Sequence, residues 1–353
     1  MNFFFLVLVI TSFFLGIFAV GFIKHKFSQK LLDIPNERSS HTQPTPRGGG
    51  LGFIIAFAVT GTIATGLAYY FPQLLPSQLA TLNPICLGFI LTPLALIGII
   101  DDRRGVPAGM RYLVQLTVAG VAIAYFGSFP QPWLTPFGLV GQIVAVVLTL
   151  IGMTALINFY NFMDGLDGLV AGVTAVQLSF LAYYLNQPLF WLLAAALLGF
   201  LGWNWSPAKI FMGDAGSTVL GASVAIALLN TNNDPIQAWS ALVVTLPLLG
   251  DAMYTLIRRL IRGENIFKAH RSHLYQRLQQ AGWSHAQVAS TYIVATGIVI
   301  LAINNFGLIG SGLSAIGVVV AIAIGEKYLR SHRSSNCSSK IGQLPNTLSL
   351  SGK

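Results

Sequence analysis

The chain has 353 residues, of which 54% are hydrophobic and only 9% are charged. A soluble protein carries about 25% charged residues, so this composition excludes a water-soluble domain and places the chain in a lipid bilayer. The net charge of +9 suits loops resting on anionic lipid, and basic residues dispersed among such loops exclude nucleic acid as the partner.

In chain order, apolar runs of near-spanning length occur at 3–23, 48–71, 83–100, 111–128, 140–158, 168–185, 188–203, 216–230, 237–257, 288–305 and 308–325. The runs at 188–203 and 216–230 are short, as tilted or broken crossings are. The expected fold is therefore an all-α integral membrane protein with about ten or eleven transmembrane helices. All 20 Lys and Arg fall in the loops 24–47, 101–111, 158–167, 204–215 and 258–287 and in the segment from 326 onward. The alternate loops hold none, which assigns the basic set to the cytoplasm, the N-terminus to the outside and the C-terminus to the inside. The acids follow the basic set, except Asp234. Residues 1–23 lack a basic leader and read as a first span rather than a signal peptide. Cys86 and Cys337 have neither metal nor redox spacing, and a disulfide is not expected. One polytopic domain, 1–330, precedes a polar, Ser-rich tail, 331–353, expected to be disordered in the cytoplasm.

The chemistry-bearing residues lie in the cytoplasmic loops. The first carries DIPNERSSHTQPTPRGGG, 33–50. Glycines that open a helix let backbone N–H groups approach a phosphate, with Arg47 beside them and Arg38 and His41 nearby; the competing reading is a helix-packing glycine cluster. DDRRGVPAGMR, 101–111, ends an apolar run in two adjacent carboxylates. Asp101 and Asp102 either pair with Arg103 and Arg104 on a solvated surface or face a cation, and Mg2+ shared with a substrate phosphate is the usual partner at such a place. NFYNFMDGLDG, 158–168, spaces Asn158, Asn161, Asp164 and Asp167 three apart, on one face of a helical turn. That row asks for a cation or a donor-rich ligand; its alternative is a pair of Asx turns. PAKIFMGDAGS, 207–217, sets Asp214 just before a span, as an N-cap, a metal ligand or both, with Lys209 upstream. RRLIRGENIFKAHRSHLYQRL, 258–278, holds His270 and His273 among arginines. It suits a pyrophosphate or, alternatively, an amphipathic helix on the membrane; two histidines without a third ligand argue against zinc. Asp251, inside the preceding span, is a functional candidate because a carboxylate in an apolar run is costly.

Asp101, Asp102, Asp164, Asp167 and Asp214 on one face with three basic clusters fit a metal bridging a diphosphate, the arrangement phosphoryl transfer needs. No GxxxxGK[ST] motif is present, which excludes a P-loop enzyme. A transporter of a lipid-linked sugar would show repeat symmetry and charged or broken helices near the midplane; only Asp251 points that way. A scaffold without chemistry gives no reason for five acids on one face.

DDRRGVPAGMR, NFMDGLDG, AKIFMGDAGS and the His-containing last loop, in that order, resemble the polyprenyl-phosphate N-acetylhexosamine-1-phosphate transferases, integral membrane enzymes of bacterial envelope synthesis. The resemblance covers about 33–278. It implies transfer of sugar 1-phosphate from a UDP-N-acetylhexosamine to undecaprenyl phosphate at the bacterial inner membrane, yielding undecaprenyl-diphospho-sugar and UMP. It implies Mg2+, with Mn2+ as an alternative, and allows a homodimer. By the same resemblance Asp101 and Asp102 are the catalytic pair, which handles the lipid phosphate and helps organise the metal site. Asp214 is the principal metal ligand, and Asn161, Asp164 and Asp167 contact nucleotide and sugar. Arg47, Arg111, Lys209, His270 and His273 are expected to bind substrate. The expected route is single displacement at the β-phosphorus, with a phosphorylated Asp101 as the rival. Several branches of the family read Ser-His-Leu-His-His-Arg-Leu where this chain has Tyr275 and Gln276 in place of two histidines, which leaves His273. PNERSSHTQPTPRGGG is similar to the branch that starts O-antigen, enterobacterial-antigen or wall-polymer chains. The muramoyl-pentapeptide enzyme of peptidoglycan synthesis, the alternative, has Thr-Pro-Thr-Met-Gly-Gly and a longer loop after its aspartates. GlcNAc, GalNAc and 6-deoxy sugars all remain open as donors. The Asp-Gly-x-x-Ala-Arg signature of CDP-alcohol phosphatidyltransferases is absent.

Overall fold

The first helix, α1 (Phe3–Phe27), is uncharged until Lys24, His25 and Lys26 in its last turn, so it stops where lipid would give way to headgroups. The computed structural model describes residues 2–27, 31–35, 40, 43–76, 79, 84–229, 234–266, 268 and 270–341. Arg38 and His41 lie outside them. Beyond α1 the chain makes a small antiparallel pair, β1 (Leu32–Asp33) with β2 (Thr45–Pro46), Asp33 opposite Thr45. Helices α2 (Gly50–Tyr70), α3 (Pro84–Arg104), α4 (Ala108–Phe126), α5 (Gly138–Met163), α6 (Leu169–Tyr184), α7 (Leu189–Asn204) and α8 (Asp214–Leu229) follow. Then come α9 (Pro235–Val243), α10 (Leu246–Ile261), α11 (Leu274–Gln280) and α12 (His285–Ile341).

The eleven apolar runs are mostly helical among the described residues, and they differ in length. Six helices among the described residues are long and apolar enough to cross a bilayer, or seven when α9 and α10, bent by 71°, are taken as one. The 16 residues each of α6, α7 and α8 give about 24 Å at 1.5 Å per residue, short of a hydrocarbon core of about 30 Å.

α12 is a hairpin rather than a rod. Its backbone leaves helical geometry at Gly307, with φ 53° and ψ −127°. The Trp283 indole N–H, just ahead of the helix, donates to the Tyr328 hydroxyl at 3.1 Å, although a continuous helix would hold these positions roughly 65 Å apart. The break falls between the runs 288–305 and 308–325. The second arm continues to Ile341, and the remainder of the polar tail, 342–353, lies outside the described residues.

α8 is the centre of the bundle. Every residue from Ala215 to Leu229 is buried, against α5, α3, α6, α2 and α4. Small residues permit this. A Cβ on Gly50 would meet the Gly216 backbone nitrogen at 2.8 Å, and one on Gly221 would meet the Ile157 Cα at 2.8 Å. Close backbone approach through Gly, Ala and Ser is the ordinary way for helices to associate in lipid. It brings the N-terminus of α8 against the C-terminal ends of α3 and α5, and these three ends carry the acids.

Candidate active site

The aspartate pair meets two arginines, one ten residues on and one in a distant part of the chain. The Arg111 Nη1 lies 2.7 Å from the Asp101 Oδ2 and 3.9 Å from the Asp214 Oδ2. The Val106 N–H donates to the Asp101 Oδ1 at 2.6 Å. Asp102 faces elsewhere: its Oδ1 accepts from the Asp214 N–H at 3.2 Å and from the Arg47 Nη1 at 3.4 Å. Arg47 also reaches the Asp33 Oδ2 at 2.8 Å. The Asp102 side chain is 4% exposed and holds the first turn of α8, whose unpaired N–H groups favour a carboxylate. Gly213, at φ +80°, makes the turn that lets Asp214 and Asp102 meet; a side chain there would collide with the Asp102 carboxylate.

From the C-terminal end of α5, the Asn161 Nδ2 donates to the Asp214 Oδ1 at 3.1 Å and to the Ser217 Oγ at 3.0 Å. Asp164, just past α5, is pushed up to about 7 by burial and then by the charge of Asp214. Asp167 moves the other way. Burial opposes its ionisation, but His285 and the Ala208 N–H hold it below the usual carboxylate range; the His285 Nδ1 stands 3.2 Å from its Oδ2. His285 also contacts the Ser40 carbonyl at 3.2 Å. Asn158 pairs with Gln115, its Nδ2 2.7 Å from the Gln115 Oε1; α5 ends at Met163, so Asp164 and Asp167 lie in the loop after it rather than on one helical row with Asn158 and Asn161.

The glycine triplet does not form a phosphate cradle. The Gly49 and Gly50 N–H groups donate to the Phe211 and Met212 carbonyls, each at 2.9 Å, and dock the start of α2 onto the loop before Asp214. Helix packing is the reading that holds. Lys209 is likewise not brought to the acids. It is exposed, with its Nζ 5.7 Å from the centre of the Trp203 ring, which Lys24 approaches to 5.1 Å.

In the last loop, the His270 and His273 rings lie 4.8 Å apart. Several arginines there serve structure. Arg258 and Arg277 both pair with Glu326 on α12, and Arg259 pairs with Glu264 at 2.9 Å. Tyr275 is fully buried, its hydroxyl donating to the Phe162 carbonyl at 3.0 Å, so it props up the 164–168 loop. Gln276 accepts from the His273 N–H at 3.3 Å.

Two cavities meet at the acids. A polar one of about 270 Å3 is lined by Asp33, Ser40, Arg47, Asn161, Asp164, Asp167, Phe211, Asp214, Gln276 and His285. The other, about 480 Å3, has apolar walls that include Leu94, Ile97, Phe159, Phe162 and Leu256. Its polar lining includes Asp101, Arg111, Asn158, Asn161, Asp214, Lys268, His270 and His273. Asn161 and Asp214 border both. The Asp102 side chain borders neither. Sequence reasoning missed His285, Ser217, Asp33 and Gln276. Ser217 stands three residues after Asp214, on the same face of a helix, a signal that could have found it; His285 lies at the start of an apolar run with nothing local to mark it.

Residues 84–232 match glycosyl transferase family 4. A probable undecaprenyl-phosphate N-acetylglucosaminyl 1-phosphate transferase of Bacillus subtilis (strain 168) is 30% identical over 72% of this chain and 71% of its own. A decaprenyl-phosphate N-acetylglucosaminephosphotransferase of Mycolicibacterium smegmatis is 31% identical over 82% and 79%. An undecaprenyl-phosphate alpha-N-acetylglucosaminyl 1-phosphate transferase of Escherichia coli (strain K12) is 29% identical over 75% and 74%. Similarity of this extent makes the chain a phosphotransferase of glycosyl transferase family 4, in its group of polyprenyl-phosphate N-acetylhexosamine-1-phosphate transferases.

Proposed function

We propose that the protein transfers GlcNAc 1-phosphate from UDP-GlcNAc to undecaprenyl phosphate at the cytoplasmic face of a bacterial inner membrane, releasing UMP and starting an envelope polysaccharide of the O-antigen or wall-polymer kind. The observation that carries this is the shared wall: Asn161 and Asp214 border both a polar cavity and an apolar-walled one. A nucleotide sugar suits the first and an isoprenoid phosphate the second, and their phosphates would then meet at Asp214. GlcNAc is favoured over other N-acetyl sugars because the relatives above are named for it. In the membrane we read eleven crossings, counting α6, α7, α8 and both arms of α12 as one each. The N-terminus is outside and the acids are inside, as the one-sided distribution of Lys and Arg supports.

Among the described residues no three His, Cys, Asp or Glu side chains converge as a ready-made metal cage. Mg2+ does not need one, since it is commonly held by one or two carboxylates plus substrate phosphates. Asp214 with the adjacent Asp101 offers such oxygens; burial first, and then the charge of Asp214, keeps Asp164 nearby from ionising easily. Bound there, Mg2+ would neutralise the donor diphosphate. Asp102 serves this centre by anchoring Asp214. Asp101 orients the lipid phosphate or takes its proton. An oxygen of that phosphate attacks the β-phosphorus of the donor, the bond from that phosphorus to the UMP oxygen breaks, and Arg111 and His273 face the charge on the acceptor side.

The test uses detergent-purified protein, undecaprenyl phosphate, Mg2+ and a panel of UDP-N-acetylhexosamines, with Asp214→Asn alongside. UMP and lipid-linked product from UDP-GlcNAc, lost in the variant and without Mg2+, are expected. Product from a different donor would overturn the GlcNAc assignment, and a trapped phospho-Asp101 would overturn direct displacement.

A further inference from the structure

We propose that Asp251 is a positioning residue for this reaction: from within α10 it holds the first turn of α11, and through it His273 and Gln276, between the two cavities. The inference rests on the reading of those cavities as the substrate sites.

The seven residues of α11 are too few for a helix to persist in isolation, and the first N–H groups of any helix lack partners. Asp251 supplies them. Its Oδ1 accepts from the Leu274 N–H at 2.7 Å and its Oδ2 from the Tyr275 N–H at 3.0 Å. Two further donors fix the carboxylate itself, the Thr255 hydroxyl at 3.1 Å on Oδ1 and the Tyr292 hydroxyl at 2.7 Å on Oδ2. The side chain is 1% exposed. A carboxylate in an apolar helix is thus explained by four donors from three elements, and its charge stands where the α11 dipole favours it.

The turn it holds is the one that reaches the site. His273 is the N-cap residue of α11, and its ring borders the apolar-walled cavity beside Asp101 and Asp214. Its Nδ1 stands 3.8 Å from the Asp251 Oδ1, beyond a hydrogen bond but within reach of the charge. Gln276, one turn on, borders the polar cavity. Behind Asp251 lies a third cavity, of about 290 Å3, lined mostly by apolar side chains from α10, α11 and both arms of α12. It offers no polar set that would make Asp251 part of an ion path.

The experiment compares Asp251→Asn, His273→Ala and the double variant in UMP release, with hydrogen exchange of the 270–280 segment as a readout independent of activity. Asp251→Asn keeps the shape but replaces one acceptor oxygen with a donor. We expect kcat/KM for the lipid phosphate to fall on the order of 30-fold, as a misplaced catalytic group does, with a smaller rise in KM for the UDP-sugar through Gln276. The double variant should lose much less than the product of the two single losses, because Asp251 acts largely through His273. Exchange should quicken in 270–280 and nowhere else. Full activity in Asp251→Asn, additive losses, or unchanged exchange would each overturn the proposal. If Asp251→Asn does not fold, Tyr292→Phe, which leaves the carboxylate in place, carries the same cycle with a smaller loss. If the wild type makes no product from any donor, the substrate reading fails and exchange alone decides whether Asp251 holds α11.

Discussion

Gly98→Ala is a single-methyl change that should disable the enzyme without unfolding it. Gly98 lies three and four residues before Asp101 and Asp102, on the same face of α3. A Cβ there would lie 2.8 Å from the Asp214 carbonyl carbon and still closer to the Ala215 N and Cα, whereas ordinary contact begins at 3.4 Å. The obstacle is backbone on both sides, so no rotamer relieves it, and α3 and α8 must part by about 1 Å. Overpacking of this kind costs about 1–3 kcal/mol of stability, which a bundle with so buried a centre can absorb. The larger effect is on geometry. Parting α3 from α8 pulls Asp101 and Asp102 away from Asp214, and a 1 Å misplacement costs on the order of 100-fold in rate. The assay is UMP release from UDP-GlcNAc and undecaprenyl phosphate, read beside thermal melts in the same detergent. Gly88→Ala is the control, since nothing stands within 4 Å of its Cβ on the same helix. Turnover within twofold of wild type in Gly98→Ala would refute the claim that this crossing sets the distance between the acids.

Further consequences can be checked with the same preparation. Asp164 in the folded chain keeps a proton up to about pH 7, whereas an unfolded aspartate loses it near 3.9. The stability this contributes is therefore full below about pH 4 and lost as pH rises through 7. Melts in EDTA should fall between pH 5.5 and 8 in the wild type and fall less in Asp164→Asn, with Mg2+ restoring the wild type at pH 8; parallel curves for the two proteins would contradict this. Arg111→Ala should lower turnover at least tenfold, because the Arg111 guanidinium stands between Asp101 and Asp214, while Lys209→Ala should stay within twofold of wild type. Equal losses in the two would mean that Lys209 reaches the substrate. Ser217→Ala removes one neutral hydrogen bond from Asn161 and should cost about two- to fivefold, the size expected of such a bond, measured as kcat.

Much of this was legible because hydropathy and charge act locally. The helices follow from the apolar runs, and Asp101, Asn161, Asp164 and Asp214 converge as their loops suggested. The partners were not legible, because they are set by which helix ends the bundle brings together. Arg47, in a different part of the chain, pairs with Asp102, and Arg111, in the first turn of α4, pairs with Asp101. The glycines were read for phosphate, but the Phe211 and Met212 carbonyls take their N–H groups, a contact across more than 150 residues. His285 is the reverse case. Only the fold of α12 beside the 164–168 loop makes it a partner of Asp167. The shortness of α7 and α8 was already visible in the runs 188–203 and 216–230, and the structure adds α6, also 16 residues long.

Two adjacent aspartates at the end of α3 suggest a chelating pair, and helix geometry argues against that. Neighbouring residues on an α-helix point about 100° apart, so two side chains one position apart cannot both aim at one small ion unless the helix unwinds. α3 remains helical through Arg104, and the two carboxylates accordingly diverge. Asp101 turns to Arg111 and the apolar-walled cavity, where an acceptor phosphate would arrive. Asp102 turns to the N–H of Asp214 and fixes where that residue begins its helix. The pair is thus one group that faces a cavity and one that fixes the distance between two helix ends. The same division recurs at the other rim, where His273 faces the cavity and Asp251 holds it from behind. Asp102→Asn and Asp251→Asn should therefore resemble each other, each lowering turnover through the placement of a neighbour, while Asp101→Asn should abolish it with Asp214 still in place. A crystal or cryo-EM structure of Asp101→Asn in which Asp214 has moved as far as it does in Asp102→Asn would break the distinction.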